Sequence, residues 1–555
     1  MTEYRSRPRP ALRPLALAAA LMLAGCAVGP DFRTPPAPSA QAWTAEPLPA
    51  TTAAVDTPTG DAQRFLEGEG VPERWWTNFA NAELDRRVER ALAHNSSVAA
   101  AQAALRQAQE GVRAARGALF PALDARAGAQ RENANAAGFG ETGTSAPPFT
   151  LYNASVGVSY TLDLFGGVRR GIEAQQAQAD RQRFQLEGTY LSLAANVTTT
   201  SVREAALRDQ IRATEEIEAI YREELGLIER QYEIGAKSLA DVLAARSALA
   251  STSAQLPPLR QALAQTQTQL AVYLGHFPAE SEAAALELAA LKLPTDVPLS
   301  LPSTVARQRP DIRVAESALH AAAAQVGVAT ANLYPQITLS GSLGTQALHA
   351  DDLFGAGSRA WSVGVNLLQP LFHGGSLRAQ KRAAEAGFDK AAADYRTTVL
   401  TAFQNIADSL HALELDAEGL KAQAAAEQAA ARTLALVRFQ YKDGATGYLQ
   451  VLDATRQYQL ARIALIQARA ARLADTAALY AALGGGWSEA SRRDGNTIPT
   501  QPLAHPCARK PGPHIRVRPF AGDRYRMAAI EIPAHPLEGE GLKAPRLEWA
   551  STHTT

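Results

Sequence analysis

Ala118-Leu119-Phe120-Pro121 closes an alanine-rich helical run and opens an alternating segment, and Asn332-Leu333-Tyr334-Pro335 does the same 214 residues later. The residue before a proline is pushed out of the α region, so each motif is a helix-to-strand junction, at Pro121 and at Pro335. Three further landmarks recur in the same order. Leu164-Phe165 returns as Leu371-Phe372 at an offset of 207, Gln231-Tyr232 with Gly235-Ala236 as Gln440-Tyr441 with Gly444-Ala445 at 209, and Leu274-Gly275 as Leu483-Gly484 at 209. Two copies of a unit of about 200 residues are too few and too long for a solenoid, so the chain reads as an internal two-fold repeat.

Each junction leads into segments of period two. Leu123, Ala125, Ala127 and Ala129 oppose Asp124, Arg126, Gly128 and Gln130, and Tyr152, Ala154, Val156, Val158, Tyr160 and Leu162 oppose Asn153, Ser155, Gly157, Ser159, Thr161 and Asp163. In the second copy Ile337, Leu339 and Leu343 oppose Gln336, Thr338, Ser340 and Ser342, and Trp361, Val363, Val365 and Leu367 oppose Ser362, Gly364 and Asn366. One apolar and one polar face define half-buried strands, expected at about 121–132, 151–164, 335–346 and 361–371. Alternation alone fits a soluble sandwich as well as strands of bilayer-spanning length, about 9 to 11 residues.

The remainder of each unit is helical. From Gly167 to the Tyr232 region, and from Ser376 to Tyr441, no proline interrupts a stretch rich in Ala, Gln, Glu and Leu. At 1.5 Å per residue each run spans roughly 95–100 Å. Ile217, Ile220, Leu225 and Ile228, and Leu434, Leu436 and Val437, supply the packing stripes. Return helices run from Leu239 to Leu274, with a break expected at Pro257-Pro258, and from Tyr448 to Leu483. Shorter runs, Ala82 to Leu119 and Ser303 to Leu333, feed the strands; Asn95-Ser96-Ser97-Val98 and Arg309-Pro310-Asp311-Ile312 read as helix restarts.

The chain ends set the compartment. Arg5, Arg7, Arg9 and Arg13 precede the apolar run Leu15 to Leu23 and then Leu23-Ala24-Gly25-Cys26, a signal peptide (1–25) with a lipobox, so Cys26 is the expected lipid attachment. With only Cys26 and Cys507 in the chain, acylation of Cys26 leaves no intrachain disulfide. Residues 26–70, rich in Pro, Ala and Thr, read as an extended lipidated tether, and 488–555, with nine prolines and four of the ten histidines, as a disordered extension. Between them lie repeat 1 (71–290) and repeat 2 (291–487). Fifty-five basic and fifty-five acidic residues leave no charge for nucleic acid. After the signal no stretch of about 18 apolar residues exists, so any membrane crossing is by strands. Four strands cannot close a barrel, and an open edge in lipid leaves backbone groups unsatisfied, which calls for several chains sharing one.

Taken in order, Leu23-Ala24-Gly25-Cys26, Trp75-Trp76 with Phe79 and Leu84, the two proline junctions, Leu164-Phe165-Gly166-Gly167, Arg309-Pro310-Asp311-Ile312, Leu371-Phe372 with Gly374-Gly375, Val451-Leu452-Asp453-Ala454 and Leu483-Gly484-Gly485-Gly486-Trp487 resemble the outer-membrane efflux protein family, TolC-like, in its NodT-type lipoprotein branch. The resemblance implies an α+β membrane protein. Three chains would give four strands each to a 12-stranded outer-membrane barrel, continued into the periplasm by a tunnel of helical hairpins. It implies a homotrimer in outer-membrane lipid, lipid-anchored, docking a periplasmic adaptor (membrane fusion) protein and an inner-membrane pump. The duct itself is passive, opens by movement of the inner hairpins, and has no cofactor beyond the lipid on Cys26.

Carried over by position, the resemblance places Asp453 at the periplasmic gate with Gln450 where many members have a second acid, and implies a closed-state latch between Asp241 and Tyr441. Gly235 and Gly444 read as hairpin-tip turns with positive φ. Catalysis is disfavoured: no Gly-x-Ser-x-Gly elbow, Walker loop or His-Glu-x-x-His occurs, and no metal site is expected. The competing reading is a non-channel periplasmic coiled-coil lipoprotein scaffold or adaptor, which would have no use for four bilayer-length strands.

Overall fold

In both copies the helix tightens before the proline stops it. The helix α2 (Ser96–Gly117) ends in a run of i to i−3 bonds, Ala118 N–H to Ala115, Leu119 N–H to Arg116 and Phe120 N–H to Gly117, after which Pro121 has no N–H to give. The helix α7 (Pro310–Ala331) ends the same way, with Leu333 N–H on Thr330 and Tyr334 N–H on Ala331 ahead of Pro335. This computed structural model describes residues 27–38, 42–133, 148–280 and 285–486. The expected signal peptide (1–25), Cys26, Trp487 and the expected extension 488–555 lie outside the described residues.

Past the junctions lie β2 (Ala122–Glu132), β3 (Phe149–Leu162), β5 (Gln336–Ala347) and β6 (Arg359–Leu368), one antiparallel sheet in the order β2-β3-β5-β6. The register puts Leu123 opposite Val158, Val156 opposite Leu343, Leu339 opposite Val365 and Leu343 opposite Trp361, so the apolar residues of all four strands share one face. That face is uncovered: Leu123, Leu343, Trp361, Val363 and Val365 each expose 65% or more of their surface. The opposite face is mostly Ser, Thr, Asn, Gln and Gly, with Asp124 and Arg126 on β2 and with Phe149, Leu151 and Leu368 at strand ends. A soluble sandwich would bury the apolar face, and this one is bare.

Below the sheet run two uninterrupted 67-residue helices, α3 (Gly167–Glu233) and α8 (Ser376–Lys442). The return of α8 is one helix, α9 (Tyr448–Ala482), while that of α3 is broken into α4 (Leu239–Ser253) and α5 (Leu256–Leu274), with Pro257 and Pro258 in the first turn of α5 where a missing N–H costs nothing. The helix restarts hold as read. Asn95 ends α1 (Ala82–His94) and its side chain accepts from Ser97 N–H to start α2, and Pro310 opens α7 after the short α6 (Pro302–Gln308). Of the expected stripe residues Ile217, Ile228 and Leu434 are buried, but Leu436 is exposed.

Two expectations are corrected. A parallel two-stranded pair, β1 (Arg64–Glu67) with β4 (Asp296–Leu299), joins the segment before repeat 1 to the start of repeat 2. It flanks the main core, where Trp75, Trp76 and Phe79 pack with Leu84, Val88, Leu473 and Tyr480. Four-residue strands are too short to announce a period. The described part of the 26–70 tether is held against the body along its length. Val28 N–H bonds Phe165 O (3.1 Å), Arg170 reaches Val28 O (3.3 Å) and Asp31 (2.6 Å), Phe32 stacks on His320 (4.3 Å between centroids), and Trp43 Nε1 donates to Ser300 O. Gly327 makes room for this strap: a Cβ there would meet the Arg170 stem at 2.7 Å, and one on Gly29 would meet Gly327 Cα at 2.4 Å. A Pro- and Thr-rich composition forbids helix but not docking in an extended form on another surface.

Buried charge ties the helices across the core. Arg87 of α1 pairs with Glu204 of α3 at 2.8 Å, both nearly sealed from solvent, and Arg208 and Ser201 complete the cluster. Burial raises the Glu204 carboxyl, but Arg87 and Arg208 together draw it below the usual range. Trp75→Ala, which opens a cavity where Trp76, Phe79 and Tyr480 meet, is expected to lower stability by about 3–5 kcal/mol in denaturant or thermal unfolding.

Candidate functional site

The two hairpin turns at the end opposite the sheet are built alike. After α3, Gly235 takes φ of 74°, its N–H on Tyr232 O and that of Ala236 on Gln231 O; after α8, Gly444 takes φ of 73°, with matching bonds to Tyr441 O and Gln440 O. Two paired bonds around a left-handed glycine end each helix cleanly, as both glycines were expected to do.

The return helices then start differently. Ser238 and Asp241 form a capping box on α4: the Ser238 hydroxyl accepts from Asp241 N–H, and the Asp241 carboxylate takes the Ser238 N–H (3.1 Å) and Oγ–H (2.8 Å). These bonds hold the Asp241 carboxyl below its ordinary value. The positions 209 residues on are Gly447 and Gln450, and α9 begins with no side-chain cap. The Asp241 carboxylate is thus bonded within its own helix start, and among the described residues no hydrogen bond joins it to Tyr441. The sequence signal for this cap is Ser-x-x-Asp ahead of a helix.

Other groups join the hairpins. Lys237 Nζ lies 4.8 Å from the Tyr441 ring centroid, and Tyr441 packs on Tyr448. Arg438 of α8 pairs with Glu224 of α3 at 3.0 Å and Arg462 of α9 with Glu216 at 2.7 Å, while Tyr221 OH donates to Leu452 O at 3.5 Å. A small apolar core lies alongside, Ile228, Val242 and Ala245 against Tyr448 and Val451. The seam encloses a cavity of about 530 Å³ lined by Glu224, Arg438, Tyr441 and Tyr448. Burial raises the Glu224 carboxyl against the pull of Arg438, and burial with the Glu224 charge raises the Tyr448 hydroxyl; burial takes Tyr221 up to about 12.

Asp453 and Gln450 stand one turn apart on the exposed face of α9, where Leu449, Gln457, Thr433 and Val437 complete a groove of about 550 Å³. Ala454 and Val451 turn inward to the core. The pattern around Asp453 thus divides into a buried stripe that holds the hairpin and an open stripe that carries the acid.

Comparison with known proteins places this architecture. The outer membrane efflux protein family matches residues 88–276 and 301–485. The toluene efflux pump outer membrane protein TtgC of Pseudomonas putida is 32% identical over 477 residues, 85% of this chain and 94% of its own. The pyoverdine export outer membrane protein OpmQ of Pseudomonas aeruginosa is 32% identical over 418 residues, 75% of this chain and 87% of its own. Among solved structures the outer-membrane channel OprN superposes with a TM-score of 0.74 at 29% identity, covering 83% of this chain and 100% of that one. The chain belongs to the outer membrane efflux protein family.

Proposed function

We propose that three copies of this chain close a 12-stranded barrel in the outer membrane and serve as the passive exit duct of a tripartite efflux system, with a periplasmic adaptor and an inner-membrane pump as partners. One observation carries this reading. The four strands bring Leu123, Val156, Val158, Leu343, Trp361 and Val365 to one bare face, and the outer edges of β2 and β6 have no strand partner among the described residues. In hydrocarbon such edges must be paired, and copies of the same sheet supply the partners. Three fours give a strand number within the known range of membrane barrels. The small polar face then lines a wet lumen that the long helices continue. The strap beginning at Ala27 is held at the foot of β3 by the Val28–Phe165 bond, which supports a lipid on Cys26 entering the bilayer beside the barrel.

The gate is the α8–α9 turn. Asp453 faces the opening with Gln450 one turn before it, and the Glu224–Arg438 pair and the Lys237–Tyr441 contact hold the second hairpin against the first. An uncapped α9 suits a segment that must move. TtgC and OpmQ are named for different exported compounds, so the substrate is set by the pump rather than by this chain. The scaffold or adaptor alternative leaves the bare sheet without a purpose.

Planar-bilayer recording of the purified protein, with its subunits counted by crosslinking, tests the whole: stable conductance from trimers is expected, and a non-conducting monomer would sink it. Asp453→Ala is expected to reduce preference for cations at unchanged subunit count. The Glu224–Arg438 pair, partly exposed to solvent, is worth about 1 kcal/mol, so Glu224→Gln and Arg438→Ala should each raise the open-to-closed ratio roughly fivefold. Asp241→Ala should instead cost about 1 kcal/mol of helix start, read as faster amide exchange at residues 239–242, with gating unchanged.

A further inference from the structure

Toward the loop end of the sheet the bare apolar face changes character. Ala122 starts β2 at its helix junction and Leu368 ends β6 at the other, and counted from these feet Arg131 and Arg359 stand at the same height, on the two outer strands. Both belong to the apolar side. Arg131 has the parity of Leu123, Ala125, Ala127 and Ala129; Arg359 has that of Trp361, Val363 and Val365 and lies opposite Thr345 in the ladder. Both are exposed, and neither has an ion pair among the described residues. Among the described residues no acid shares this face on any of the four strands. The acids of the β5–β6 connection, Asp351 and Asp352, stand beyond the strand end, where Asp352 faces His349 at 3.8 Å.

Two cations on a lipid-facing surface need a reason. From Leu123 to Arg131, and from Leu367 to Arg359, the strand rises about 27 Å, or about 21 Å along the membrane normal at a tilt of about 40°. The apolar band of a membrane barrel is about 25 Å tall, so both guanidinium groups arrive at its outer edge and not at its middle, where an arginine is strongly disfavoured. Tyr152, near the same level on β3, and Trp361, one outward position below Arg359, are amphipathic rings of the kind that sit at such an edge. Since the long helices leave from the feet of the strands, this edge is the one in the outer leaflet.

Closure of the barrel by further copies, the reading on which this inference rests, gathers the arginines in pairs. Within one copy Arg131 and Arg359 are three strand spacings apart, about 14 Å. Across a seam β6 lies one spacing, about 5 Å, from the next β2, so Arg359 stands beside Arg131 of the partner subunit. Two forked guanidinium groups side by side, with no acid on their face, match the oxygens of a phosphate. We propose that each seam between copies binds a phosphate of the outer-leaflet glycolipid, lipopolysaccharide, between Arg359 of one copy and Arg131 of the partner subunit, with Trp361 against its acyl chains. The site is incomplete in a single chain. The lipid braces the one strand pairing that the chain cannot make within itself.

Native mass spectrometry of the full-length purified protein, titrated in detergent with bis-phosphorylated lipid A, its dephosphorylated form and phosphatidylglycerol, tests this beside the crosslinked subunit count and conductance. Lipid A is expected to bind the wild type at one per seam, and Arg131→Gln, Arg359→Gln and removal of the lipid phosphates should each weaken binding about tenfold. Arg359→Lys, which keeps the charge and loses the fork, should recover part of the loss. Arg126→Gln, on the same strand as Arg131 but on the opposite face, should bind as the wild type does. Wild-type affinity in Arg131→Gln or Arg359→Gln, an equal loss in Arg126→Gln, or phosphatidylglycerol binding as well as lipid A would overturn the proposal. A conducting trimer indifferent to both arginines overturns this inference alone, whereas a protein that is not trimeric has no seam and overturns it together with the duct.

Discussion

The β3–β5 ladder is the contact on which the rest of the molecule hangs. From Leu162 opposite Ile337 to Tyr152 opposite Ala347 it joins a hairpin of one repeat to a hairpin of the other, and it makes two unstable two-stranded ribbons into one four-stranded sheet with a common apolar face. An isolated hairpin would expose two edges for every two strands. Fusion halves that number. Everything below inherits the geometry of this joint: Phe165 and Tyr334, at the feet of β3 and β5, stack at 4.6 Å, and α3 and α7 leave from either side of them.

At the other end the same duplication is used to make the copies differ. Both turns need a left-handed residue, and both have glycine. But the first return helix has a reciprocal cap, Ser238 with Asp241, and the second has Gly447 and Gln450 in its place. A capped start resists fraying and an uncapped one does not. The hairpin that carries Asp453 is therefore the one whose helix start is held only by its packing on Ile228 and Val242 and by pairs such as Glu224–Arg438.

How much was legible follows from the length scale of each signal. The junctions at Pro121 and Pro335, the period-two strands and the 67-residue helices are written in local sterics over ten residues or more, and all were readable. So were Gly235 and Gly444. The β1–β4 pair and the strap on Arg170 were not, because each is a short, aperiodic segment whose partner lies more than a hundred residues away. At the site, helical spacing alone puts Asp453 and Gln450 on one face of α9, and that face is open. The bond of Asp241 to Ser238 is equally local, a Ser-x-x-Asp pattern at a helix start.

Sequence by itself determined where helix becomes strand, where hairpins turn, that these landmarks recur in the same order and which residues share an apolar face, because proline, glycine and alternation act within a few residues of themselves. Tertiary structure alone decided that the apolar faces of both repeats merge on one bare sheet, that the proline-rich leader packs down rather than trails, and which charges meet. Glu224 with Arg438 and Arg87 with Glu204 depend on how far each helix is rotated and slid against its neighbour, and no single helix records that in its own residues.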